Sequence, residues 1–131
     1  MSLTLAQARG YVDKGIDIAR EMNLQLSFVV VAQFGQLIQI DRMDMASLMT
    51  PRIAEAKAIT ALNFKQSTQD LAERFQSRPD ALRRLEQVVN FKLLTAGGGV
   101  PIFQDGRLVG AIGVSGGTAD EDHEVASKAV A

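Results

Sequence analysis

The chain has 131 residues, 14 of them basic and 15 acidic, a net charge of −1 and no cysteine. Disulfides, thiolate metal sites and thiol catalysis are thereby excluded, and the even mix of charge gives no drive toward nucleic acid or a membrane surface. A single histidine and a single tyrosine leave acid–base chemistry near neutral pH to Asp, Glu, Lys and backbone dipoles.

The length suits one domain over residues 1–131. The longest apolar run, 26–32, is too short to span a bilayer. The first ten residues lack the basic, apolar and cleavage regions of a signal peptide, so a soluble cytoplasmic protein is expected.

Thr4 and Gln7 form a Thr-x-x-Gln capping box. Leu5, Ala8, Val12, Ile16, Ala19 and Met22 follow at spacings of three and four, which predicts an amphipathic helix over about 4–22. The β-branched run 26–33 predicts a buried strand. Phe34-Gly35 turns it back into 36–42, a hairpin. Thr50 is the expected cap, and Pro51 the first position, of the next helix. Ile53, Ala54, Ala58, Ala61 and Leu62 give that helix a buried face of mostly small residues, so it can lie close to a sheet. Ser67 and Pro79 start two shorter helices, served by Leu71, Ala72 and Phe75 and by Leu82, Leu85 and Val88 or Val89. Residues 91–94 read as a short strand ended by the glycines that follow. Residues 100–104 and 107–115 flank Asp105-Gly106, the strongest short-range hairpin signal. Thr118 and Glu121 make a second capping box ahead of a final helix from about 119. The predicted order is α-β-β-α-α-α-β-β-β-α. Tight hairpins mean antiparallel pairing, so the fold class is α+β, with a sheet of about five strands flanked by helices.

The glycines do not make a nucleotide site. A dinucleotide fingerprint needs Gly at i, i+2 and i+5 between a strand and its helix, and Gly110, Gly113, Gly116 and Gly117 miss that spacing. In a strand, Gly110 and Gly113 permit the close approach of a helix or a ligand. The segment Ser115–Thr118 presents free amides at a helix start. However, Asp120, Glu121, Asp122 and Glu124 fill the first turns and already satisfy the dipole. Two like charges about 4 Å apart cost on the order of 4 kcal/mol at a surface-like dielectric, which argues against phosphate there. Asp120, His123 and Glu124 share a helical face and read as metal ligands or, preferably, as a solvated acidic helix start; no metal is assigned.

Arg42, Met43 and Asp44 end the second strand. Arg42 is suited to grip a carboxylate, either a ligand's or the protein's own. Lys57 lies on a small apolar helix face, as a proton-transfer group or as a chain that snorkels to water. Met43, Met45 and Met49 either line an apolar pocket or pack in the core. The candidate ligand-binding residues are Arg42, Met43, Lys57, Gly97, Gly98, Gly99, Gly113 and Ser115. The glycine-rich segments are expected to form a pocket wall, and Arg42 or Lys57 its positive charge.

The segment 97–126, "GGGVPIFQDGRLVGAIGVSGGTADEDHEVA", resembles the GlcG/HbpS family of haem-binding-like proteins, which also supplies the C-terminal domain of PduO-type proteins. Arg42-Met43-Asp44 and Lys57-Ala58-Ile59-Thr60-Ala61 extend the likeness over nearly the whole chain. The resemblance implies a profilin-like antiparallel sheet with helices against it, assembly into homo-oligomers, and haem or another tetrapyrrole as candidate cofactor. It leaves three roles open. One is a small-ligand-binding accessory protein of a catabolic operon. Another is a small enzyme of the tautomerase or isomerase kind, acting on an organic acid of glycolate or aromatic catabolism. There Arg42 would hold the carboxylate, and Lys57 or Asp44 would move a proton. The third is a non-catalytic module that stabilises a partner enzyme. Expected partners are a small molecule and copies of the chain itself. Members often carry Val-Asp-x-x-Gly at the first hairpin; here Val31-Ala32-Gln33-Phe34-Gly35 puts Ala32 in place of the Asp.

Overall fold

In the computed structural model, which describes residues 2–131, the chain folds in the order α1 (Leu5–Glu21), β1 (Ser27–Ala32), β2 (Leu37–Arg42), α2 (Thr50–Phe64), α3 (Thr68–Arg74), α4 (Pro79–Val88), β3 (Gly99–Gln104), β4 (Arg107–Ser115) and α5 (Ala119–Ala129). The fold class is α+β. The sheet is antiparallel with strand order β2-β1-β4-β3. It has four strands, not about five, because 91–94 is not a strand. The apolar run is there, but its amides go elsewhere: Leu93 N–H donates to Glu86 Oε2 at 2.8 Å, and Leu94 N–H to Thr60 Oγ1 at 2.9 Å. Side chains of two helices take the bonds that a neighbouring strand would have taken.

Both capping boxes form, Thr4 with Gln7 and Thr118 with Glu121. The Asp105-Gly106 turn has φ of +52° and +77°. Positive φ at both central residues matches the right-handed twist of the strands it joins. Thr50 is not a cap. It is already helical, and the N-cap position falls on Met49. The Thr50 hydroxyl instead meets Ser27 Oγ and donates to the Ser47 carbonyl, each at 2.8 Å, tying the start of α2 to β1.

All six residues of β1 are buried, as expected of a central strand covered on both faces. One face carries Phe28, Val30, Ile112 and Val114 under α1 and α5, whose Ala8, Val12, Val125 and Ala126 complete the larger core. The other carries Val29, Val31 and Ala111 under Ala54, Ala58 and Ala61 of α2. Alanine spacing lets α2 lie almost on the sheet. α2 sits over β1, β4 and β3 and barely reaches β2. Leu37 and Ile40, which share rows with Val31 and Val29, are therefore left about half exposed. α4 differs from expectation: it packs on no other helix or strand among the described residues, and Val88 is 84% exposed.

A candidate ligand-binding cleft

The sequence-predicted site residues fall into two separate groups. Arg42, Met43 and Asp44 border a shallow polar cleft of about 230 Å³ with Arg20, Gln25 and Asp41. Arg42 does not reach out from it. Its Nη1 donates to the carbonyls of Met43 (3.3 Å), Asp44 (2.9 Å) and Ala46 (3.0 Å) and so holds the loop ahead of α2. Met43 is half-buried, with Sδ accepting the Leu26 N–H at 3.4 Å.

The second group, Lys57, Gly97–Gly99, Gly113 and Ser115, comes together in a solid interior where α2, β4 and α5 meet. Lys57 does not snorkel. Its ammonium is buried and donates to Asp122 Oδ2 and to the Val114 carbonyl, both at 3.0 Å. Asp122 also accepts the Gly117 N–H at 2.9 Å. Burial pushes the Asp122 carboxyl above its ordinary range, while the Lys57 ammonium and the Gly117 and Gly116 amides pull the other way. The glycines make room for backbone. A Cβ on Gly113 would lie 1.8 Å from the Ala54 carbonyl oxygen, and one on Gly99 would lie 2.3 Å from that of Lys57. Gly97 lies against the Ala119 carbonyl and His123. Asp120, His123 and Glu124 form no metal cage, and no group of three His, Cys, Asp or Glu able to hold a metal occurs among the described residues.

The open site lies on the α2 face. A cleft of about 570 Å³, within the usual range for small-molecule sites, runs between the β1–β2 turn, the C-terminal half of α2 and Phe91. Its apolar walls are Phe34, Ile59, Leu62, Phe91 and Leu108. The turn is fixed by Gly35 N–H to the Ala32 carbonyl (2.9 Å) and Ala32 N–H to the Gln36 carbonyl (2.8 Å). In this turn Phe34 is 79% exposed. Phe91 opens the segment that the Leu93 and Leu94 amide bonds tie to Glu86 and Thr60. Lys65, at the left-handed cap that ends α2 (φ +56°), stands at the rim. A second cleft of about 410 Å³ adjoins across Ile59 and Phe91, and Arg52, Lys92 and Glu55 border it. Glu55 faces Arg52 at 3.8 Å, while Lys65 and Lys92 have no ion-pair partner among the described residues. Lys57 lines neither cleft.

None of these cleft residues stands out as a motif, since they come from four distant stretches. One signal was available. The tripeptide Asn-Phe-Lys occurs twice, at 63–65 and 90–92, and both of its lysines stand at the clefts' edges.

Fold and cleft together define a small α+β protein whose open site offers apolar surface and positive charge rather than a metal cage. The chain belongs to the HbpS-like family: the family described as haem degrading protein HbpS-like matches residues 3–131. It is 33% identical over 130 residues to an uncharacterised 15.0 kDa protein of the dhaT–dhaS intergenic region of Citrobacter freundii, covering 98% of this chain and 90% of that protein. It is 32% identical over 116 residues to the corrinoid adenosyltransferase PduO of Salmonella typhimurium, covering 88% of this chain but only 34% of that enzyme. The crystal structure of a PduOC–heme complex superposes with a TM-score of 0.87 at 28% identity, over 99% of this chain and 94% of that one. No helix among the described residues is long and apolar enough to cross a membrane.

Proposed function

We propose that the protein is a tetrapyrrole-binding accessory protein on a profilin-like scaffold, cytoplasmic and homo-oligomeric, and that the cleft beside α2 is where the ligand sits. The observation that carries this reading is the cleft itself: Phe34 and Phe91 flank an apolar floor, Lys65 stands at its rim and Lys92 borders the adjoining cleft, neither lysine with an ion-pair partner among the described residues. Haem is a flat apolar macrocycle bearing two carboxylates. The walls suit the macrocycle, and Lys65, Lys92 and Arg52 suit the carboxylates through charge-assisted hydrogen bonds. When bound, the group supplies the redox chemistry of its iron; the chain's residues hold it, orient it and keep water from the covered side. The heme complex of the PduOC relative supports the ligand class. The match to part of the corrinoid adenosyltransferase PduO supports a role beside an enzyme.

Haemin titrated into the protein is expected to give a Soret change that saturates at a fixed ratio. The double variant Lys65→Glu, Lys92→Glu should weaken binding by at least tenfold, about 1.4 kcal/mol or more, with unchanged thermal stability. Unsaturable uptake would remove the ligand class, and equal affinity in the variant would remove the cleft.

Self-assembly is supported by an uncovered apolar surface. Leu37 and Ile40 on edge strand β2, with Met45, Leu48 and Met49 in the loop that follows it, are 46–91% exposed. Edge strands with exposed apolar side chains invite pairing. Light scattering is expected to give a mass that is a multiple of 14.1 kDa, reduced toward a single chain by Ile40→Lys. A monomeric wild-type protein would overturn the assembly.

A further inference from the structure

We infer that this chain holds its tetrapyrrole by the macrocycle and the carboxylates alone, so that a metal-free porphyrin binds as tightly as haemin. The inference rests on the reading of the cleft given above and goes beyond it, because it removes the metal from the recognition. Haem proteins ordinarily ligate iron through His, Met, Cys or Tyr, and none of these lines either cleft.

The candidate ligands among the described residues lie outside both clefts. There is no cysteine. His123 sits on α5, which packs with α1 on the other face of the sheet. Its Nε2 is 3.2 Å from Ser127 Oγ, and its Nδ1 is buried without a hydrogen-bond partner beside Gly97, away from both clefts. The Tyr11 hydroxyl accepts from Gln104 at 3.2 Å. Met22 and Met43 pack against the α1–α5 core, Met43 already accepts a backbone N–H, and Met45 and Met49, exposed ahead of α2, line neither cleft. The polar side chains at the clefts are the amides of Gln33 and Asn63, Glu55, which faces Arg52, and the cations Lys65, Lys92 and Arg52; amide nitrogens do not ligate iron, and Lys65, Lys92 and Arg52 carry the charge. As ammonium and guanidinium they have no lone pair for iron and a full positive charge for carboxylate. The site is thus matched to the edge and faces of the ligand and not to its centre.

Untagged protein would be titrated with haemin, metal-free protoporphyrin IX and protoporphyrin IX dimethyl ester, following porphyrin fluorescence and the Soret band. The expected result is haemin and protoporphyrin dissociation constants within about threefold of each other. The ester, which lacks both carboxylates, should bind at least tenfold more weakly, and salt should weaken the two acids but not the ester. His123→Ala should leave haemin affinity unchanged. Haemin binding tenfold or more tighter than protoporphyrin would overturn the inference while sparing the tetrapyrrole reading. So would loss of haemin alone in His123→Ala. An ester that binds as well as the free acid would overturn the carboxylate half. Absence of saturable binding by all three would remove the tetrapyrrole reading itself, and this inference with it.

Discussion

Gly113→Ala is expected to leave the protein unfolded or insoluble at 25 °C. The added methyl would sit 1.8 Å from the Ala54 carbonyl oxygen, 2.8 Å from its carbon and 2.9 Å from the Ala58 nitrogen. All three are backbone atoms of α2, so no rotamer change relieves the overlap. Either α2 lifts off the sheet or β4 moves out of register with β1 and β3. Overpacking by a methyl commonly costs about 1–3 kcal/mol where side chains can yield. Here a whole helix must yield, and a loss above about 4 kcal/mol, a large part of the stability of an ordinary domain, is expected. Gly10→Ala is the control. No atom lies within 4 Å of its added methyl, and the residue is exposed on α1. Alanine there should stabilise by up to about 1 kcal/mol through helix propensity. Thermal and urea melts of the two variants against wild type measure both. A Gly113→Ala protein that melts like wild type would mean that α2 does not lie on β4 as described.

That contact also shows which features the sequence carries openly. The alanine face of α2 and the glycines of β4 announce a helix lying close to a sheet, because both signals are local. The hairpins are as legible, through Asp105-Gly106 and the β-branched run of β1. The strand expected at 91–94 failed because an apolar pattern says nothing about where the amides will bond. The acceptors were side chains of Thr60 and Glu86, on two other helices. The cleft was hidden for a related reason: Phe34, Ile59, Phe91 and Leu108 each look like ordinary core residues until the topology brings them to one surface. The ion pair was half legible. Asp122 belongs to an acidic helix start that dipole arguments explain, yet it lies on the same stripe as Val125, Ala126 and Ala129. Lys57 lies among Ala54, Ala58 and Ala61. An acid on one apolar stripe and a base on another, 65 residues apart, are natural partners, since neither is tolerated inside alone.

Lys57→Met should therefore cost about 3–5 kcal/mol near neutral pH, the usual loss when one member of a buried pair is removed. For a domain of this size that corresponds to roughly a 10–20 °C fall in Tm. The methionine fills similar space, so the loss measures the stranded carboxylate and the bond lost to the Val114 carbonyl rather than a cavity. The pH dependence has a definite sign. Asp122 is raised above its ordinary value of 3.8 even beside Lys57, so the folded state keeps this proton after the unfolded chain has released it. The associated stability is present below pH 3.8 and is lost as pH rises through the folded-state value. Without Lys57, Asp122 loses the cation that restrained it, its folded-state value climbs further, and more stability is lost over a wider window. The gap between wild type and variant should accordingly narrow toward pH 4 and widen toward pH 7. Adding Asp122→Asn to Lys57→Met removes the remaining charge and keeps an oxygen for the Gly117 amide. The double variant should recover most of the loss and abolish the pH dependence of the gap. A gap that widens in acid, or a double variant that loses the sum of the two single losses, would show that the two side chains do not act as one buried pair.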